Sequence, residues 1–223
     1  CFIRPSCMAA PRHRPALSAG LCRYASSARM PSSPGARLAA AVPGHGKLDP
    51  IVNQATQLGV CELIPLLTAR PVVKVSAAQR RKQQARLFQI AVEAGKQSAA
   101  ALLPRIHPIT PWADFLPQIK ASKLSLIATV QGPHEPVEEI LSEGSDLAPL
   151  VMVGPEGDWT QQEIEEATGV GARRFSLGAY VLRCDTACVA AVSVVSFLLN
   201  KVISAQAQID PRFREDDTSK RSG

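Results

Sequence analysis

A chain of 223 residues, 46% hydrophobic and only 4% aromatic, has the makings of one ordinary domain with a sizeable aliphatic core. Its formal charge of +6 invites a nucleic-acid reading, yet seven of the 25 basic residues and none of the 19 acids precede residue 49. The rest is close to neutral, so net charge alone is poor evidence for a polyanion partner. Six cysteines show no Cys-x-x-Cys pair and no histidine at ligand spacing, which predicts reduced, packed thiols and no metal.

Residues 1–36, rich in Arg, Ser and Pro, read as a transit-like leader or an upstream coding artefact. Arg37–Val42 predicts a strand and Pro43-Gly44-His45-Gly46 a turn. Asp49 and Pro50 then supply an N-cap and a first-turn proline for a helix carrying Leu48, Ile51, Val52, Ala55 and Leu58, stopped by Gly59. Val60–Leu67 is a strand with Ile64 and Leu66 on one face. Ser76-Ala77-Ala78-Gln79 is a capping box for a long helix to about Ser98, striped by Leu87, Ile90, Ala91 and Ala94. Prolines 104, 108 and 111 mark a connection, and a short helix follows over Trp112–Ile119. Leu124–Val130 is a strand that turns out through Gln131-Gly132-Pro133, and Val137–Leu141 is a short helix.

Leu147–Val153 is apolar enough for the centre of a parallel sheet. The longest uncharged run, Thr186 to Asn200, is too short to span a bilayer and predicts a buried helix. Alternating strands and helices predict an α/β domain over residues 37–205: a mostly parallel sheet with flanking helices, followed by a flexible tail over 206–223. From Arg70 to Arg105 eight basic residues face one acid, Glu93. That stretch is a polyanion surface, a solvated helix face, or one half of a mutually attracting pair.

In such a sheet, ligands bind where strands end and helices begin. Gly154-Pro155-Glu156-Gly157 occupies such a place. Thr160-Gln161-Gln162-Glu163 caps the next helix, so Gly157 and Asp158 lie just before its positive end. The glycines admit positive φ and close backbone approach, though taken alone the loop reads first as a tight turn. It lacks the Gly-Lys-Ser/Thr of a P-loop. A second glycine loop, Ser176-Leu177-Gly178, precedes Leu182-Arg183-Cys184-Asp185-Thr186 and the last apolar helix. There Asp185 or Thr186 reads as an N-cap, and Arg183 as an ion-pair partner of Glu156 or Asp158, unless they face a ligand.

Val153-Gly154-Pro155-Glu156-Gly157, then Glu163-Ile164, Ser176-Leu177-Gly178 and Val181-Leu182-Arg183-Cys184-Asp185-Thr186-Ala187, resemble the motifs of the SPOUT methyltransferases. They look most like the RsmE type, which methylates a uridine base of small-subunit ribosomal RNA at ring nitrogen 3. Upstream, Lys47–Val60 is similar to that family's first helix, and Pro65–Arg70 and Glu93–Ser98 also match, so the likeness runs over residues 37–203. The family's Gly-Pro-Glu-Gly-Gly ends here in Asp158, and its Arg-Thr-Glu-Thr-Ala reads Arg183-Cys184-Asp185-Thr186-Ala187. Its Glu-Gln-Ser-Gly-Arg reads Lys96-Gln97-Ser98-Ala99-Ala100, without the usual RNA-facing arginine.

The resemblance implies a C-terminal trefoil knot, a homodimer with each active site near the subunit interface, and S-adenosylmethionine held by loops at Thr129–Gly132, Gly154–Gly157 and Leu177–Thr186. The implied cofactor residues are Thr129, Val130, Gly154, Pro155, Glu156, Gly157, Leu177, Gly178, Leu182, Thr186 and Ala187, with Leu126–Val130 as an apolar wall. Arg183 would lie by the reacting base, its charge stabilising an imide anion as the uracil proton leaves. Glu156 and Asp185 are the candidate bases, each equally an acceptor within its own loop.

Residues 1–36 cannot form the PUA-like barrel with which such proteins usually grip RNA. Either the chain is truncated or misassembled upstream, or another element supplies that contact, in which case Arg70, Arg80, Arg81, Lys82, Lys96 and Gln97 are the expected RNA contacts. The implied activity is uridine-N3 methylation of small-subunit ribosomal RNA. The alternatives are another RNA position, such as a ribose 2′-hydroxyl, or a non-catalytic RNA-binding ribosome-assembly factor. The compartment is the cytoplasm by family default, or a mitochondrion or plastid if residues 1–35 are a transit peptide. No membrane partner is expected.

Overall fold

The structure is a computed structural model that describes residues 35–43, 48–69, 77–100, 102–143 and 148–209. Expectations for the leader to residue 34, the turn at Gly44–Gly46, the Ser76 cap, Arg70 and the tail from Asp210 lie outside the described residues.

Strands and helices alternate. β1 (Arg37–Ala41) leads to α1 (Leu48–Gln57), β2 (Glu62–Leu67), α2 (Ala77–Gln97), the two-residue β3 (Arg105–Ile106) and β4 (Thr110–Pro111), and then α3 (Trp112–Ala121). β5 (Ser125–Ala128), α4 (Val137–Glu143), β6 (Leu150–Val153), α5 (Gln161–Gly169), β7 (Ala172–Phe175) and α6 (Cys184–Ile209) follow. All the strand pairs are parallel, in the order β3-β2-β1-β6-β5-β7, with β4 also on β2. The expected mostly parallel α/β architecture is therefore present.

Period-two alternation assigns the faces. Leu38, Ala40, Leu63, Leu126, Val151 and Phe175 pack with residues of α1, α2, α4 and α6. Ala39, Ile64, Leu66, Ile127 and Met152 pack with α3 and α5 on the other side. Both faces are covered, which is why β5 and β6 read as unbroken apolar runs. Pro65, which cannot donate to a ladder, is buried in β2. Leu63 accepts from His107 N on the β3 side, so the Pro65 nitrogen faces that same side, where β3 has ended and β4 has not begun.

The first helix ends as expected. Gly59 has φ +80°, Val60 N–H reaches Ala55 O at 3.1 Å and Gly59 N–H reaches Thr56 O at 3.1 Å, a Schellman closure. Its start differs: α1 begins at Leu48, so Asp49 lies in the first turn rather than at the cap, and its carboxylate pairs with Arg86 of α2. That ion pair removes one cation from the basic stretch. The last helix also differs from expectation. Cys184–Ser204 is long and apolar enough to cross a membrane by length and composition, more than the uncharged run suggested. Cys184, Cys188, Ala191, Val192 and Val195 nevertheless belong to the core beneath the sheet.

Candidate functional site

Three loops leave the carboxyl ends of β5, β6 and β7 and enclose a cavity of about 290 Å³. That is close to the lower end of the ~300–1,000 Å³ of small-molecule clefts. Thr129 and Val130 line it from the first loop, and Gly154, Pro155, Glu156 and Gly157 from the second. Leu177, Gly178 and Leu182 line it from the third, with Ala187 of α6 behind them. Thr186 does not line it, because it sits on the exposed side of the helix start. Leu126 is fully buried, so the apolar wall begins at Ala128. Val153 and Asp158 line it from outside the expected loops, and Tyr180, Val181 and Cys184 line it from within the expected third loop without having been singled out. Tyr180 and Val181 are the most exposed large hydrophobic residues described, at 83% and 78%, and with Val130 they form an apolar lip.

Each loop is shaped by a different device. In the second, neither Gly154 nor Gly157 has positive φ; the left-handed residue is Asp158, at φ +58°. Gly154 is needed for proximity instead: an added Cβ would meet Trp159 Nε1 at 3.1 Å. Trp159 is buried, and its indole N–H donates to Ala128 O at 3.0 Å, tying the ends of β5 and β6 together. The capping box forms as expected, with Glu163 N–H on Thr160 Oγ1 at 3.2 Å and Thr160 N–H on Glu163 Oε2 at 2.8 Å. Glu163 Oε1 also accepts from Ala69 N–H at 2.7 Å, so one buried carboxylate anchors α5 to the end of β2.

In the first loop Asp158 Oδ2 accepts from Thr129 Oγ1, Val130 N–H and Gln131 Nε2. The third turns at Gly178, φ +116°, whose N–H donates to Ser176 Oγ at 3.2 Å. Here glycine serves a positive φ, whereas at Gly154 it serves close approach.

The start of α6 corrects two expectations. Arg183 O accepts the first helical hydrogen bond, from Ala187 N–H at 2.7 Å, so Arg183 stands at the cap while Asp185 and Thr186 lie in the first turn. Asp185 Oδ1 accepts from Thr186 N–H at 2.9 Å and suits the positive helix end. Arg183 pairs with neither Glu156 nor Asp158. Its Nε lies 3.8 Å from Asp185 Oδ1, and its side chain is 67% exposed beside the cavity rather than in its wall. Glu156 is exposed at the rim. Cys184 Sγ lies 3.8 Å from Ala41 O, and its hydrogen bond to Cys188, with burial, pushes the Cys188 thiol well up.

The expected RNA residues that are described, Arg80, Arg81, Lys82, Lys96 and Gln97, do not line the cavity. Arg80 is half-buried, and Arg81 and Lys82 are exposed on the first turns of α2. Lys96, paired with Glu93 at 2.9 Å, and Gln97 lie in its last turn, about 24 Å further along the helix. The described cations of this helix therefore do not form one compact patch.

A parallel α/β sheet with glycine loops around a cleft at its carboxyl edge defines a ligand-binding α/β domain. Residues 31–196 match the RNA methyltransferase domain family, and the chain belongs to that family. It is 31% identical over 167 residues to the ribosomal RNA small subunit methyltransferase E of Bacillus subtilis, covering 72% of this chain and 64% of that protein. It thus spans just under two-thirds of that relative's length. Among solved structures, a ribosomal RNA small subunit methyltransferase E from Neisseria gonorrhoeae, bound to S-adenosyl methionine, superposes with a TM-score of 0.64 at 26% identity over 74% of this chain and 66% of that one. A putative methyltransferase from Legionella pneumophila, in complex with the bound cofactor SAM, gives 0.65 at 25% identity over the same shares.

Proposed function

We propose that this chain carries the catalytic domain of an S-adenosylmethionine-dependent methyltransferase acting on small-subunit ribosomal RNA, at ring nitrogen 3 of a uridine. The observation that carries the reading is the cavity itself. It is built from the loops that bear the family motifs, in a fold shared with relatives solved with that cofactor. The donor set suits the group: backbone at Gly154, Gly157, Leu177 and Leu182 for the adenine and ribose, and apolar Val130, Leu177 and Ala187 for the purine faces. Glu156 at the rim offers a carboxylate to the cationic end. When bound, the cofactor supplies an electrophilic methyl group on a sulfonium centre.

The protein's own contribution is placement and charge. Methyl transfer needs in-line approach and little covalent help, so rigid loops that fix the donor contribute much of the acceleration. Arg183 is held only loosely by Asp185, which leaves its guanidinium available to an imide anion as the uracil proton leaves. The same reading includes two copies paired through the exposed residues of α6, and a trefoil threading of the chain after β7.

Calorimetric titration with S-adenosylmethionine, before and after Arg183→Ala, tests this directly. Cofactor affinity stays within about twofold while methyl transfer to ribosomal RNA falls roughly 100-fold or more, the scale of losing one charge-stabilising donor. No cofactor binding by the intact, folded chain overturns the enzyme reading and leaves a non-catalytic RNA-binding factor. An unchanged map of methyl-uridines in ribosomal RNA from cells lacking the protein overturns the target.

A further inference from the structure

We infer that Asp158 is a positioning residue that clamps the first loop of the cavity to the second, shaping the cofactor site before any ligand arrives; this rests on the reading of the cavity as the S-adenosylmethionine site. One carboxylate oxygen, Oδ2, gathers three donors from across the cleft: Thr129 Oγ1 at 3.0 Å, Val130 N–H at 3.2 Å and Gln131 Nε2 at 3.2 Å. The donors reinforce one another. Gln131 N–H bonds back to Thr129 Oγ1 at 3.0 Å, and Gln131 Nε2 also reaches Trp159 O at 3.0 Å. Thr129 and Val130 are themselves cavity wall, so the clamp fixes surfaces a cofactor would touch.

The backbone argues that this side chain is kept for what it holds. Asp158 adopts φ +58°, where glycine is the least strained choice and where the family's usual loop carries one. The turn alone, closed by Asp158 N–H on Pro155 O at 3.0 Å, needs no side chain. The carboxylate offsets the strain by tying together two segments 28 residues apart. Charge-assisted bonds of this kind are stronger than neutral ones, and ordering a loop in advance lowers the entropy lost on binding.

Two substitutions separate positioning from a merely structural turn. Asp158→Gly keeps and relaxes the turn but removes the acceptor. Asp158→Asn keeps an oxygen that the same donors can reach. In the cofactor-free full chain, amide hydrogen exchange at Val130 speeds up at least tenfold in Asp158→Gly and stays near wild type in Asp158→Asn. Titrated S-adenosylmethionine binds Asp158→Gly roughly tenfold more weakly, with the asparagine variant restoring most of the loss and the glycine variant melting no lower than wild type. Unchanged Val130 exchange and unchanged affinity in Asp158→Gly overturn the clamp. A wild-type chain that binds no S-adenosylmethionine overturns the functional reading, and Val130 exchange still decides the clamp.

Discussion

Among the described residues two that are not glycine hold left-handed backbones, Ala99 at φ 51° and Asp158 at φ 58°, and they solve the strain differently. Asp158 recovers it through three accepted hydrogen bonds. The Ala99 methyl makes no such bond: Ala100 N–H reaches back to Gly95 O at 3.0 Å to close the last turn of α2, and that closure needs a left-handed residue at position 99. Ala99→Gly therefore stabilises the protein by roughly 0.5–1 kcal/mol, the left-handed penalty of ~1–2 kcal/mol less the entropy cost of glycine. Scanning calorimetry reads this as a melting-temperature rise of about 2 °C. A fall would mean the methyl is worth more than the strain it causes. Gly154 shows what a sequence hides at this scale. A glycine in that loop is legible as a special position, but its cause is not, because the Trp159 ring returns over it only once the chain has turned.

Among elements, α6 was the most legible as a helix and the least legible in its faces. Its apolar composition runs nearly all the way round, so periodicity does not divide inside from outside. The structure does. Ala191, Val192 and Val195 are buried against the sheet, while Val194 is 39% and Phe197 70% exposed. Val194 and Phe197, one helical turn apart on that open face, are where the proposed pairing with a second copy would be felt. Phe197→Glu should weaken self-association at least tenfold, seen as a shift from dimer to monomer in sedimentation at micromolar concentration, with an unchanged circular dichroism spectrum. A wild-type chain that sediments as a monomer removes the pairing from the proposal. The short β3 and β4 lay below any sequence signal, since two-residue strands have no period; the prolines around them marked only a connection.

Across the whole molecule, the alternation of apolar runs and helices was enough to read a covered parallel sheet. The sheet order was not, because nothing local in β1 and β6 announces that they pair across more than a hundred residues. The amino end of this sheet is held by polar groups rather than by apolar packing alone. Arg37 donates to Ala148 O and to Ser122 Oγ, and His107 Nε2 lies 3.3 Å from Glu62 Oε2 across β2 and β3. Hydrogen bonding from His107, with the positive charges of His107, Arg37 and Arg105 nearby, outweighs burial and holds the Glu62 carboxyl below its usual range. The unfolded chain then takes up the Glu62 proton more readily than the folded one. The stabilisation is accordingly present above the ordinary glutamate value of about 4.3 and is lost as pH falls through the lower, folded value. Glu62→Gln removes that linkage. Melting curves recorded from about pH 6 down to about pH 3 should show the wild type more stable at the upper end, with the gap between the two proteins closing as the acid range is entered. A gap that stays constant with pH would mean that Glu62 contributes through packing and not through its charge.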